Sequence, residues 1–213
     1  DYFHPQLIFE SLNSTGLDLS QADLIRNYVL MGQDDEMQKE LYEMYWYPME
    51  QSYGHDYSSY FDNFMRDYLT VKTGVIPKIG YVYEAFKSYV SDNRSLTIKM
   101  IIDDIYKFSN YYVNMILHKE SDMQLKVSFK RISQLKVDVC YPFLLAVYND
   151  YSNQKLDNVD FVEIISLVEN YVFRRSICSI PTNSLNKTFA TFYKHLDIAN
   201  YLASVKAKFI LLD

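Results

Sequence analysis

The stretch VDFVEIISLVENYVFRRSI, residues 159–177, decides the fold class of this chain. Its apolar residues Val162, Ile165, Val168 and Val172 recur at the three- and four-residue spacing that lines one face of an α-helix. The segment therefore predicts a long helix with one buried face. Patterns of the same kind recur on both sides of it.

The first of these patterns follows Ser20, which resembles an N-cap before an apolar stripe from Ala22 to Val29. Gly32 is placed to end that helix as a C′ residue, and Pro48 should stop or bend the next helix. Helices are predicted in total over residues 22–31, 34–47, 57–71, 81–90, 96–117, 141–151, 159–177, 183–193 and 198–211.

One segment, residues 121–139, stays open between helix and coil. The alternation of Leu125, Val127 and Phe129 hints at a strand, but a single strand would have no partner. The chain has only 5 Gly and 5 Pro beside 21 Tyr and 13 Phe, and so few turn-forming residues favour long helices over a sandwich or barrel. The predicted fold is all-α, an irregular bundle of about eight to ten helices.

The charge and the cysteines limit the function classes. The formal net charge of −6 argues against a surface that is a nucleic-acid platform throughout, although a local basic face remains open. No apolar run approaches the roughly 20 residues of a membrane span, and no secretory signal opens the chain. Cys140 and Cys178 lie in apolar surroundings without metal-ligand spacing, so we interpret them as buried small side chains in a reducing, cytoplasmic compartment.

Motifs for catalysis or metal binding are missing from the sequence. The four histidines are far apart and form no HxxxH or HExxH pair, so no metal site is predicted. Phosphate-binding glycine loops and the GxSxG elbow are also missing. Asp103 and Asp104 are read as a solvated helix face, and the acids at residues 34–36 as partners of a helix dipole.

Two segments are richer in polar residues than packing alone requires. The turn at residues 13–16, just before a helix N-terminus, is typical of an anion site or of ordinary turn and cap chemistry. In the second segment Arg174 and Arg175 leave a helix C-terminus, and Asn183, Asn186 and Lys187 follow. The two arginines compensate the helix dipole, or they contribute to a small basic patch that contacts phosphates.

These segments carry a resemblance to a known family. The string FESLNSTGLDLSQADLIRNYVLM at Phe9–Met31 resembles the end of the N-terminal domain of GmrSD-type modification-dependent restriction endonucleases. The stretches YPFLLAVYNDYSN at Tyr141–Asn153 and ENYVFRRSICSIPTNSLNKTFATFY at Glu169–Tyr193 resemble their intermediate helical region. Residues 34–138 are only compatible with it.

The resemblance implies a bacterial anti-phage parent protein in three parts. A ParB-like N-terminal domain with a DGQQR motif hydrolyses nucleotides, a helical region follows, and an HNH domain cuts DNA with a divalent metal. This chain has neither the DGQQR string nor an HNH-like set. It is therefore expected to be a fragment, with residues 1–32 ending the nucleotide-associated domain and 33–213 forming the helical domain. No cofactor is expected in the fragment itself, whereas an NTP and a divalent metal are implied for the parent.

The resemblance also assigns residues and partners. Glu10, Asn13, Gly16 and Arg26 match the nucleotide-associated segment, although the rest of that domain is missing. DNA, the flanking domains and no membrane are the implied partners.

Three hypotheses follow from these observations. The first is a non-catalytic helical module between nucleotide-hydrolysing and nuclease domains, or a stand-alone helical interaction protein. The second is a DNA-binding module with a basic face formed by Arg174, Arg175, Lys187, Lys194, Lys206 and Lys208. The third is a free-standing enzyme built around Glu10, Asn13 and an acid pair.

Overall fold

Ten helices and no strand make up the regular structure of residues 19–180, 184–194 and 196–212, which the computed structural model describes. The all-α prediction is thereby confirmed. In chain order the helices are α1 (Gln21–Met31), α2 (residues 35–53), α3 (Tyr57–Thr73), α4 (Val82–Asp92), α5 (Ile98–Ile116), α6 (Met123–Gln134), α7 (Tyr141–Ser152), α8 (Asn158–Ile177), α9 (Leu185–Phe192) and α10 (Tyr201–Ile210).

Side-chain caps fix where several helices begin. Ser20 accepts a hydrogen bond from the Asp23 backbone N–H at 3.1 Å, which confirms the predicted start of α1. Asp122 and Asp157 cap α6 and α8 in the same way. Gly32 does end α1, but its φ of −86° is not the left-handed conformation expected of a C′ glycine.

Helix α2 continues through Pro48, so the prediction that this proline could stop the helix is wrong. The helix consists of Asp35–Leu41, a π-helical turn at Tyr42–Trp46, and Tyr47–Tyr53. Proline has no N–H to donate and clashes with the carbonyl four residues earlier in a regular α-helix. The wider turn immediately before Pro48 changes that spacing, so the helix can pass through the proline.

Residues 121–139, whose secondary structure the sequence left undecided, contain α6. The suggestion of a strand there is wrong. Leu125, Phe129 and Ile132 are buried at positions i, i+4 and i+7. Val127 is exposed, so the alternation that suggested a strand did not reflect two faces of a sheet.

The chain divides into two compact units. Unit 1 contains residues 1–69 and 77–110, and unit 2 contains residues 70–76 and 111–213. In unit 1 the rings of Trp46, Tyr53, Tyr57 and Phe64 surround Phe61 at centroid distances of 4.8–5.7 Å. The predicted boundary between residues 32 and 33 concerns family membership and stays a prediction.

Helix α7 is the most buried element of unit 2. Its residues Tyr141–Tyr148 and Asp150 are all buried. Helices α6 and α8 pack on one another, and the Arg131 guanidinium donates to the Glu169 carboxylate at 2.8 Å.

The two cysteines have different environments, and both are free thiols. Cys140 is buried as predicted, but Cys178 is exposed, so the prediction of its burial is wrong. The end of α8 explains the difference, because Phe173, Ile177 and Ile180 are exposed there as well.

Candidate functional site

A buried carboxylate on α7 gathers polar contacts from three elements of unit 2. Asp150 is completely buried. Its Oδ2 atom accepts hydrogen bonds from the Tyr193 hydroxyl at 2.6 Å and from the Tyr201 hydroxyl at 2.9 Å. The Lys155 ammonium lies 2.8 Å from Oδ1. A buried carboxylate requires such partners, because leaving water without compensation is costly.

Three separate elements place these partners around Asp150. Tyr193 directly follows α9, and Tyr201 is the first residue of α10. Lys155 belongs to the turn after α7, where its backbone N–H donates to the Asp150 carbonyl at 2.9 Å. Gln154 has a φ of +59° and turns the chain back at this point. The cluster therefore ties the end of α7 to both C-terminal helices.

The turn after α7 also borders an open cavity of about 690 Å³. Tyr151, Gln154, Lys155 and Asp157 are among its lining residues. Only Lys155 joins the cavity to the cluster, because its ammonium binds Asp150 while its side chain is 45% exposed. Two charged residues therefore line the cavity: Lys155, which is paired with Asp150, and Asp157, whose side chain caps α8.

The chemistry of the cluster is that of a structural anchor. Burial, strengthened by the neighbouring Asp150 carboxylate, raises the pKa of Tyr193 and of Tyr201. Both hydroxyls therefore stay protonated and donate to Asp150 at neutral pH. Asp150 Oδ2 accepts from both tyrosines, and Oδ1 is paired with the Lys155 ammonium by charge and proximity, without hydrogen-bond geometry.

A second buried carboxylate, that of Glu120 in the loop before α6, also contacts α7. The Tyr148 hydroxyl donates to the Glu120 carboxylate, and Glu120 also accepts from the Ser121 backbone N–H at 2.8 Å. Asn114 donates to the Tyr148 hydroxyl at 3.0 Å, and the ring of Tyr111 stacks on that of Tyr148 at 4.5 Å. This network joins α5 and the loop before α6 to α7.

Alkaline pH should weaken the fold through its buried tyrosines. Burial raises the pKa of Tyr53 and of Tyr201 above the ordinary value of 10.0. Between the unfolded and folded pKa values the unfolded chain binds fewer protons, so stability falls as pH rises. We expect the free energy of unfolding to be level up to about pH 9 and to fall beyond about pH 10, by at most about 1.4 kcal/mol per pH unit for each such group.

Urea unfolding monitored by circular dichroism across this pH range measures the effect. Tyr201→Phe should reduce the alkaline slope, whereas Tyr42→Phe, which changes an exposed tyrosine, should leave it unchanged. A slope that is the same in the wild type and in Tyr201→Phe would contradict the assignment.

Among the residues matched to the nucleotide-associated segment, Arg26 lies in the described part of the chain. Its guanidinium forms ion pairs with Asp23 and Glu50, each at 3.0 Å. Glu10, Asn13 and Gly16 lie outside the described residues. The nucleotide role of all four stays a prediction.

Four of the five residues predicted to contact phosphate lie in the last turns of α8 or in the first turn of α9. Arg174 and Arg175 lie in the last turn of α8, and Arg175 donates to the Ser184 hydroxyl at 3.1 Å and to the Tyr171 hydroxyl at 3.3 Å. Asn186 and Lys187 are exposed in the first turn of α9. Asn183 lies outside the described residues.

The remaining lysines of the proposed basic face have internal contacts. Lys206 lies 2.5 Å from the Glu163 carboxylate. Lys208 donates to the Phe192 carbonyl at 2.7 Å and also to the Lys194 carbonyl, so it satisfies the end of α9. Lys194 lies against Gly74, where an added β-carbon would be 2.5 Å from its Nζ atom.

Sequence reasoning missed Asp150, Lys155, Tyr193 and Tyr201 as a group. The available signal was the single acid in the otherwise apolar and aromatic stretch YPFLLAVYNDYS. Such an acid requires buried partners, but the sequence does not say that they come from residues more than 40 positions away. Of the two acids interpreted as a solvated helix face, Asp103 is exposed, whereas Asp104 is half-buried and accepts from the buried Tyr68 hydroxyl at 2.7 Å.

Within residues 19–180, 184–194 and 196–212, no group of three or more His, Cys, Asp or Glu side chains is arranged to hold a metal ion. None of the helices there is both long and apolar enough to cross a membrane.

Comparison with known proteins found no matching family model, no matching curated protein and no matching solved structure.

Proposed function

We propose that this chain is the helical middle segment of a bacterial, modification-dependent DNA restriction protein that defends against phage. In this role it links a nucleotide-hydrolysing domain to an HNH nuclease domain and is not catalytic by itself. The hydrogen bond between Tyr193 and Asp150 is the observation that carries the proposal. It joins the two separate segments, Tyr141–Asn153 and Glu169–Tyr193, on which the resemblance to the helical region depends.

Further contacts of the same two segments support a scaffold role. The Arg131–Glu169 ion pair fixes α8 to α6, and Tyr148 and Asp150 anchor α7 on two carboxylate networks. The polar residues of these segments are used to hold helices together. A segment between two catalytic domains needs such internal rigidity to keep the domains at a defined separation.

The cofactors of the proposal belong to the flanking domains. The resemblance implies the NTP and the divalent metal for the parent protein, and their chemistry would be supplied by the domains on either side of this helical segment. A restriction protein acts on DNA in the bacterial cytoplasm, which is the location we propose.

Two measurements test the proposal at different levels. Bacteria that express the gene with its flanking reading frame should reduce the plating of phage whose DNA carries modified bases. The purified 213-residue chain, supplied with magnesium, NTPs and plasmid, should neither cut DNA nor release phosphate. Turnover by the purified chain would contradict the non-catalytic role, and unchanged plating would contradict the restriction role.

DNA binding by the chain is the alternative function. The exposure of Arg174 and Lys187 on either side of the Arg175–Ser184 contact favours it. If both side chains contact phosphates, the double variant Arg174→Ala/Lys187→Ala should lower the slope of log affinity against log salt by about 2. Fluorescence anisotropy with modified and plain duplexes at several salt concentrations measures this slope.

The matched control is Lys206→Ala, because the Lys206 ammonium is paired with Glu163 and should contribute little to the slope. Negligible binding of the wild-type chain at low salt would exclude this alternative.

A further inference from the structure

The negative charge of the chain is concentrated in one helical segment of unit 1. Residues 34–56 contain seven acidic residues and one lysine. Because the whole chain has 27 acidic and 21 basic residues, the other 190 residues carry twenty of each. The net charge of −6 therefore comes from α2 and the residues at its two ends.

The π-helical turn of α2 presents large apolar side chains on the same segment. Tyr42, Met44 and Tyr47 are 37%, 63% and 47% exposed. Residues five positions apart share a face in a π-helix, and the rings of Tyr42 and Tyr47 accordingly lie 6.0 Å apart. The buried side chains of Trp46 and Met49 hold the opposite face of the helix in the core of unit 1.

Carboxylates accompany these apolar side chains along the helix. Asp35 and Glu36 are exposed one to two turns earlier, and within the described residues neither forms an ion pair. Glu43 is exposed beside Met44, with only a distant contact of 4.0 Å to Lys39. Other acids of α2 are compensated, since Glu40 pairs with Lys99 at 2.5 Å and Glu50 pairs with Arg26.

We propose that this surface, formed by Asp35, Glu36, Tyr42, Glu43, Met44 and Tyr47, is a docking site for a basic, apolar segment of a partner protein. Lysine or arginine side chains of the partner would pair with the carboxylates, and its apolar side chains would pack on Met44 and the two tyrosines. Methionine and tyrosine suit this role because they adapt to a partner at low cost. Nucleic acids and anionic membranes are disfavoured, because their phosphates would be repelled by the carboxylates.

The dimensions of the surface limit the size of the partner segment. Residues 35–47 span roughly 18 Å along the helix axis at 1.5 Å per residue. A partner helix of about three turns therefore covers it. This inference does not depend on the restriction assignment, because it rests on the charge and exposure of α2.

Binding of a defined peptide tests the proposal. The probe is a fluorescein-labelled peptide of about three helical turns, made of leucine and lysine with the leucines at helical spacing. We expect the full chain to bind it at about 0.05 M salt and more weakly at about 0.2 M salt. The same peptide with glutamate in place of lysine should not bind.

Two variants separate the apolar and the charged contributions. Met44→Ser/Tyr47→Ser should weaken binding at least about tenfold, as expected for loss of central apolar contacts. Asp35→Asn/Glu36→Gln/Glu43→Gln should weaken it about three- to tenfold and reduce the salt dependence. Glu84→Gln/Asp103→Asn, which neutralises exposed acids elsewhere in unit 1, is the matched control and should bind like the wild type.

Hydrogen exchange and sedimentation complete the test. The peptide should slow amide exchange within residues 35–53. In sedimentation, the wild type and Met44→Ser should both have the mass of a monomer. Equal binding by the wild type and both surface variants, binding of the glutamate peptide, or protection confined to other residues would overturn the proposal. Dimerisation of the wild type that Met44→Ser abolishes would also overturn it, because the occupant would then be a second copy.

Discussion

Asp150→Ala is expected to lower the free energy of unfolding by about 3–5 kcal/mol. The variant removes the charged acceptor for two tyrosine hydroxyls, and hydrogen bonds to a charged group contribute about 1.5–3 kcal/mol each. The Tyr201 hydroxyl would be left buried without its acceptor. The lost pairing with Lys155 adds little, because that lysine is nearly half exposed and can turn to water.

Urea or thermal unfolding measures this loss, and a double-mutant cycle assigns it. When Tyr201→Phe is already present, Asp150→Ala should cost clearly less than in the wild type, because the two residues share one hydrogen bond. Asp103→Ala, which removes an exposed acid, should change stability by less than about 0.5 kcal/mol. A cost below about 1 kcal/mol for Asp150→Ala would show that the cluster does not anchor the C-terminal helices.

Phe61→Ala is expected to cost about 3–5 kcal/mol, the range for emptying a buried aromatic position. Phe61 is fully buried in unit 1, and its ring lies 4.8 Å from that of Tyr57 and 5.3 Å from that of Trp46. Because several rings meet at this position, neighbouring side chains cannot all move inward to fill the cavity.

The exposed neighbour Tyr60 provides the matched control. Tyr60→Ala lies one residue away on α3 but removes a side chain that is 36% exposed, so its cost should be far smaller. Equal costs for the two variants would show that the ring cluster around Phe61 packs more loosely than the distances indicate. Thermal unfolding followed by circular dichroism distinguishes these results.

The local pattern of the sequence was sufficient for the helices. Apolar residues at helical spacing depend only on neighbouring positions, so the bounds of α3, α7 and α8 were predicted to within about two residues. The capping role of Ser20 was predictable for the same reason, since its acceptor atom and the Asp23 N–H are three residues apart. Gly32 was predicted correctly as the end of α1, but the left-handed conformation expected of it was wrong.

Errors arose where the conformation in the folded protein differs from the local preference. Pro48 was expected to stop or bend α2, but the helix does not stop there, because the preceding π-helical turn accommodates the proline. Cys178 was expected to be buried because its neighbours are apolar, whereas the end of α8 is exposed. In both cases the structure of the helix in the folded protein outweighed what the neighbouring residues alone would favour.

The all-helical class and most helix limits follow from the amino-acid sequence alone, because helical periodicity and capping are properties of adjacent residues. The concentration of negative charge in residues 34–56 can also be counted from the sequence. The contacts of Asp150 with Tyr193 and Tyr201, which are 43 and 51 residues away, depend instead on how the helices pack. A buried charge obtains its partners from whichever helices pack around it, and that packing is a property of the whole chain.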